Sequence, residues 1–447
     1  MRNNSKKALF TGKEGQNYML PFILMTSLFF MWGFAHSLLD VLNKHFQDSL
    51  DLTKAQSGAV QASAYGAYFL MAIPAGYVAK RFGYKRGIIV GLILFALGSF
   101  CFVPAVEINA FWPFLIGLLI LFSGLTFLET ISNPYTIALG PPETAASRIN
   151  LAQTFNAIGW ILGPLIGSVL IFKNDSGKST FELFGEAIQK IFLGISDMGT
   201  EVSTQTGVYT NNVLIVPYMG LGILVLIILI FFLFSKLPEM KDSISDLSDN
   251  KKSLSDRPLM KQKHFVLAVI AQFLYVAAQT GIGSFFINYT IEVKGLQLSE
   301  IQGGLLLGLG GMTLFAIGRF LGSIIMRKVK ANILLGIYAT INTILMLFVI
   351  LNHNRFGVIA LISCYLFMSI MFPSIFALGL KDLGNKTKTA SSILVLTVVG
   401  GAIAPGIMGL IGAENMNLGF IIPLICFFYI ALFGFTFNRV KGLAQNV

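Results

Sequence analysis

Charge is what this 447-residue chain has least of. Only 12% of its residues are Asp, Glu, Lys or Arg, where a soluble domain carries about 25%, so a fully water-exposed surface is excluded. Cysteine is scarcer still. Cys101, Cys364 and Cys426 are odd in number, sit in apolar runs and show no metal-ligand spacing. That excludes a disulfide framework and a thiolate metal site, and the three read as packing residues. There are four His, no His-Glu-x-x-His, no Gly-x-Gly-Asp and no Ser/His pair on facing apolar runs. No enzyme, cofactor or metal is therefore expected. The polar tail "MRNNSKKALFTGKEGQNYML" leads into a full-length apolar run, so no cleaved signal peptide is expected either.

What the chain has instead is apolar length. Hydrophobic residues make up 55% of it, with 40 Phe and 45 Gly, and the mean hydropathy is +0.75. Phe gives membrane helices bulk and Gly lets them approach closely. Measured against the roughly 20 residues that cross a hydrocarbon core, twelve spans are predicted. In the first half they cover 20–46, 56–79, 85–106, 112–138, 148–172 and 212–235. In the second half they cover 263–290, 299–326, 331–352, 356–380, 387–411 and 418–438. The fold class is an all-α, multi-pass membrane protein.

The net charge of +11 would suit nucleic acid, but Lys and Arg sit in loops between the predicted spans and are concentrated on one side of them. They include Lys80, Arg81, Lys85, Arg86, Arg327, Lys328, Lys330, Lys381, Lys386, Lys388, Arg439 and Lys441. Loops 106–112 and 411–418, on the other side, have almost none. The positive-inside rule places both termini in the cytoplasm. The expected partners are membrane lipid and a small solute, with no nucleic acid, and a monomer is expected. The divisions are a tail 1–19, a six-helix bundle 20–235 with an external segment 173–211, a polar linker 236–262, a second bundle 263–440 and a tail 441–447.

The two bundles are repeats. "PYTIALG" (Pro134–Gly140) recurs as "PSIFALG" (Pro373–Gly379), and Gly159 with Pro164 recurs as Gly400 with Pro405. "LTKAQSG" (Leu52–Gly58) recurs as "LSEIQGG" (Leu298–Gly304), and Gly76 with Arg81 as Gly322 with Arg327. All fall in chain order on matching spans. Two parallel six-helix repeats describe the architecture of the major facilitator superfamily, whose halves rock about a midplane solute site.

Against this symmetry the acids stand out. Glu129, in "GLTFLETISNPYT", aligns with Met368 in the second repeat, and no Lys or Arg within a span is near enough in sequence to pair with it. An acid needed by the scaffold should occur in both repeats, so Glu129 is expected to be functional. Asp40 is the second intramembrane acid, and the two differ in depth by roughly 10–15 Å at ~1.5 Å per residue. They read as two stations for a proton. His36, one turn before Asp40, either tunes that site or lines the cavity.

Amides and rings make up the rest of the predicted site. Gln153 and Asn156 share a face of the fifth span, and Asn133 lies one turn from Glu129. Gln272, Tyr275 and Gln279 form a stripe on the seventh, with Asn288 beyond them. Trp32 and Phe372 supply flat apolar faces. Amides hydrogen-bond hydroxyls and rings cover C–H faces, which together suit a sugar; interhelical hydrogen bonding is the alternative use of such amides. Arg319 either pairs with an acid or reaches the inner interface. The glycines at 303, 304, 308, 310, 311, 318 and 322 read as tight helix packing. In the loop "GYVAKRFGYKRG", Lys80 stands where the superfamily's inner-gate motif has Asp.

The blocks "LETISNP", "NLAQTFN", "AQFLYVAAQTG" and "FMSIMFPSIFALGLKDLG", with the Asp-bearing first span, resemble the fucose–galactose–glucose:proton symporters. The resemblance runs over most of 20–440 and implies proton-coupled sugar import, with the acids linked to coupling matching Asp40 and Glu129. It also implies a sugar-cavity role for Gln153 and Asn156. Two departures leave the sugar open among fucose, glucose, galactose and N-acetylated hexoses. His36, Ser37 and Leu39 stand where fucose-transporting members have amides, and Gly283 replaces a Trp. A sodium-coupled sugar symporter is the nearest rival reading, and a drug or organic-anion exporter the next.

Overall fold

A backbone in lipid finds no water for its N–H and C=O groups, so long apolar runs must satisfy them internally, as helices. The structure, a computed structural model, describes residues 18–139, 145–172, 178–193, 211–235, 237, 258–293, 295–326, 328–381, 383 and 386–445. Most of both tails and of the linker, segments 173–177 and 194–210, Arg327, and the side chains of Lys80, Lys388, Arg439 and Lys441 lie outside the described residues.

The helices follow the predicted spans. They are α1 (Met19–Ser49), α2 (Ala59–Phe82), α3 (Tyr84–Phe100, continued by Phe102–Ile108), α4 (Phe111–Ala138), α5 (Ala145–Ile171) and α6 (Ile215–Phe234). In the second repeat come α7 (Lys263–Glu292), α8 (Glu300–Leu305 and Thr313–Ile325), α9 (Ala331–Leu351) and α10 (Arg355–Met368 and Met371–Leu380). Then follow α11 (Thr387–Leu396 and Gly400–Ile411) and α12 (Ile421–Gln445). Among the described residues there is no strand. Eleven helices are long and apolar enough to cross a membrane. The expected second span is a helix too, α2, but it is not among the eleven; Gln61, Ser63 and several small residues dilute its apolar content.

One sequence repeat now has a physical cause. Thr53 accepts a hydrogen bond from Gln56 N at 3.2 Å, while the Gln56 side chain accepts one from Thr53 N at 2.9 Å. Ser299 and Gln302 do the same at 3.2 and 3.1 Å. Both are capping boxes, satisfying backbone donors that a helix start leaves bare. The pattern S/T-x-x-Q recurs because two equivalent helices begin there. The glycine run after Ser299 does more than pack. Leu306–Met312 winds as a π-helical turn inside α8, and its glycines, Gly308, Gly310 and Gly311, bear no side chains to crowd the wider winding.

By contact the chain forms two compact units, one of 1–37, 70–163 and 214–249, the other of 38–69, 164–213 and 250–447. In the first, α3 and α4 approach closely: a Cβ on Gly91 would lie 3.0 Å from the Gly124 carbonyl oxygen. Phe102 stacks on Tyr218 at 3.6 Å. Lys85 caps the end of α6, donating to the Leu233 and Ser235 carbonyls at 2.9 and 2.8 Å, where a helix C-terminus favours a cation.

In the second unit the Ser49 end of α1 and the start of α2 pack against the second repeat. Lys44 pairs with Asp48 and lies 3.2 Å from Glu300. Lys54 lies 2.6 Å from Glu292 and donates to the Gly412 carbonyl at 2.9 Å. Thr180–Leu193 forms a further helix, docked on this unit by Gln302 and Lys190. Its Glu182 caps the Ser179 backbone N–H, a bond that holds the exposed carboxyl below its ordinary value.

Candidate functional site

Within the first unit, α1 turns a ring-lined face toward α4 and α5. His36 is buried, with Nδ1 3.1 Å from the Trp32 carbonyl oxygen. Its ring centroid lies 4.9 Å from Phe122, 5.9 Å from Trp160 and 6.0 Å from Trp32. Trp32 is half-buried, and among the described residues its Nε1 has no hydrogen-bond partner. Asn156 is buried, and its amide donates to the Phe29 carbonyl at 3.1 Å, which ties α5 to α1. Gln153 is half-buried beside it in sequence.

Glu129 is half-buried, and Asn133 donates to its backbone carbonyl at 3.1 Å rather than to the carboxylate. Glu129 makes further polar or electrostatic contact.

The second unit holds the other residues. Asp40 is 6% exposed, which removes the reading of a solvated interfacial carboxylate. Gln61 of α2 donates to its Oδ1 at 3.3 Å, and Tyr365 of α10 is near enough to interact electrostatically. Gln272 and Tyr275 are fully buried on α7, and Gln279 is half-buried. Tyr275 donates to the Met368 carbonyl at 3.1 Å, and its ring meets half-buried Phe372 at 6.1 Å. Asn288 is taken up elsewhere: its amide donates to Gln47 at 2.6 Å. Arg319 does not pair with an acid in the contacts seen. It donates to the Ser369 carbonyl at 3.4 Å and lies over Phe315 at 5.0 Å.

Gln272 is the informative residue. It is 0% exposed, and among the described residues neither its Nε2 nor its Oε1 has a hydrogen-bond partner. The same holds for Thr280 Oγ1, Ser284 Oγ, Tyr365 Oη and Gln61 Oε1. Buried polar atoms are rarely left so, because each loses water without replacement. They are spread along α7, over about 18 Å from Gln272 to Ser284, and on α2 and α10, and a hydroxyl-rich ligand or water can satisfy such groups. Gln61, Thr280, Ser284, Tyr365 and Trp160 were not predicted. Trp160 had a usable signal, standing one turn beyond Asn156, and Gln61 is a lone amide within a span.

The three free cysteines are Cys101, Cys364 and Cys426, the last two buried. Among the described residues no cluster of His, Cys, Asp and Glu could hold a metal.

Comparison with known proteins agrees with this geometry. The chain is 38% identical to the L-fucose-proton symporter of Escherichia coli (strain K12) over 94% of its own length and 93% of that protein's. It is 35% identical to a glucose/galactose transporter of Brucella abortus biovar 1 (strain 9-941), over 94% of each. It superposes on a crystal structure of FucP, a Major Facilitator Superfamily transporter, in the outward conformation. The TM-score is 0.64 at 37% identity, over 94% of this chain and 99% of that one. Residues 22–406 match the Major Facilitator Superfamily as a whole, and with these relatives the chain belongs to that family.

Proposed function

We propose that this protein imports a monosaccharide, a hexose or deoxyhexose, together with a proton by alternating access. It does so as a multi-pass protein of the bacterial inner membrane with both termini in the cytoplasm. The observation that carries the reading is the set of buried, unsatisfied polar atoms along α7 and on the α2 and α10 residues Gln61 and Tyr365, which asks for a ligand rich in hydroxyls. The printed functions of the relatives, an L-fucose-proton symporter and a glucose/galactose transporter, support the same class. Gln153, Asn156, Gln272 and Gln279 bind hydroxyls, with Tyr275 and Asn133 as further polar groups, while the Asn288 amide is engaged by Gln47. Trp32 and Phe372 cover the apolar sugar face, and His36 lines or tunes the proton site. Asp40 and Glu129 carry the proton, since a neutral acid crosses between alternating states at low cost. The protein acts as a monomer in lipid and performs no chemistry on its substrate.

Sodium coupling is the second reading. Along α1 Ser37 is the one short hydroxyl close to Asp40 in sequence, but Asn43 Oδ1, Gln61 Oε1 and Ser284 Oγ are buried oxygens left unsatisfied among the described residues. Proteoliposome uptake of radiolabelled L-fucose, D-glucose and D-galactose, driven separately by a pH and a sodium gradient, tests both. Uptake on the pH gradient alone supports the proton; no uptake of any of the three sinks the sugar reading.

A further inference from the structure

Asp40 lies where α1 crosses α7. Among the described residues its carboxylate meets one donor, Gln61 Nε2, 3.3 Å from Oδ1. On the α7 side it rests on bare backbone. A Cβ built on Gly283 would lie 2.7 Å from Oδ2 and 2.9 Å from both Oδ1 and Cγ. A side chain there would have to displace the carboxylate, which fills the space of the side chain that position 283 lacks.

The contact belongs to a ladder. One turn on, Asn43 donates to the Ser284 carbonyl at 2.7 Å. A further turn on, Asn288 donates to Gln47 at 2.6 Å. The members of each of these pairs are 241 residues apart, the spacing that also relates Gly159 to Gly400 and Pro164 to Pro405. Equivalent helices of the two repeats therefore meet at equivalent positions. Asp40 and Gly283 stand 243 residues apart, two positions off that register, with an acid on one helix and no side chain on the other.

We propose that Gly283 is a positioning residue for proton coupling. Its missing side chain is the seat that receives the Asp40 carboxylate when this end of α1 closes on α7, and Gln61 holds the carboxylate there. This rests on the proton-coupled reading above. Burying an ion with a single donor costs far more than burying the neutral acid, so this end closes on the protonated acid. The titratable groups facing Asp40 are few. Tyr365 interacts with it from α10. Lys44, one turn along α1, is engaged with Asp48 and Glu300, and the neighbours on α2 and α7, Gln61 and Gly283, carry no charge.

The test needs neither sugar nor gradient, so a parent chain that fails to transport sugar sinks the transport reading separately. The full-length chain, with its three native cysteines replaced, carries Gln47→Cys and Asn288→Cys in proteoliposomes. Its rate of oxidative cross-linking is measured across pH. The rate should fall as pH rises, and Asp40→Asn should abolish that fall. Gly283→Ala should slow cross-linking about tenfold, the equivalent of mild overpacking, and Asp40→Ala in the same chain should restore it. Equal slowing with and without the Asp40 carboxylate, or no slowing, overturns the seat. If Gly283→Ala does not fold, the Asp40→Ala/Gly283→Ala pair should; failure of both makes the glycine a simple packing contact and overturns the proposal. Gln61→Leu leaves position 283 open and should move the pH profile; an unmoved profile removes Gln61 from the proposal.

Discussion

Replacing Lys44 with Met should release the contact between the two repeats at the Ser49 end of α1. Lys44 is buried, pairs with Asp48 and lies 3.2 Å from Glu300. Asp48 and Glu300 also face one another, so removing the cation leaves two neighbouring carboxylates with little water. Breaking a buried pair by deleting one partner costs about 3 kcal/mol or more, because the remaining charge is uncompensated. Here the penalty falls on the closed arrangement alone, since parted ends expose both acids to solvent. About 3 kcal/mol is about a hundredfold in an equilibrium constant. The reporter is Asn288→Cys in a chain without the native cysteines, labelled by a membrane-impermeant maleimide. Asn288 is 3% exposed, so a thiol there reacts only when the ends part. Lys44→Met should raise the labelling rate toward that factor. Lys44→Met/Asp48→Asn/Glu300→Gln, which removes all three charges, should return it to within a few-fold of the parent. A rate unchanged by Lys44→Met would show that the cluster does not hold this end closed.

Three further outcomes follow from the buried polar groups. Gln272→Leu should leave the empty protein as stable or up to about 1–3 kcal/mol more stable, because an unsatisfied buried amide is lost, while sugar affinity falls; thermal unfolding and calorimetry read the two separately. Gln153→Ala should weaken sugar binding without loss of stability, whereas Asn156→Ala should lose both, since its amide also bonds the Phe29 carbonyl; unchanged affinity in both assigns the pair to helix packing. Glu129→Gln should keep sugar counterflow yet lose accumulation on a pH gradient, and accumulation like the parent's would remove Glu129 from coupling.

Much of this architecture is written in one dimension. Hydropathy reports which stretches must be buried, and the described long helices fall on the predicted stretches. The echo of "LTKAQSG" in "LSEIQGG" reports a capping box, a device local enough to read from four residues. What lies across helices is not so written. Gln61 looks like one amide in a small-residue helix until α1 brings Asp40 to it. Asn288 looks like a ligand for sugar until Gln47 takes its amide. The π-helical turn at 306–312 hides for a different reason, since glycines signal close packing and altered winding equally well. The division into compact units was not legible at all. It depends on which helix ends touch, and hydropathy is the same for parted and closed ends.

The central claim is that sugar and proton cross together. It is tested most directly by reconstituting the protein in vesicles that enclose a pH-sensitive dye, with no imposed ion gradient, and adding L-fucose, D-glucose or D-galactose outside. Inward sugar flow should acidify the lumen with the parent protein and fail to do so with Glu129→Gln. Sugar entry with no change in lumenal pH, and with sodium entering alongside it, would contradict the account.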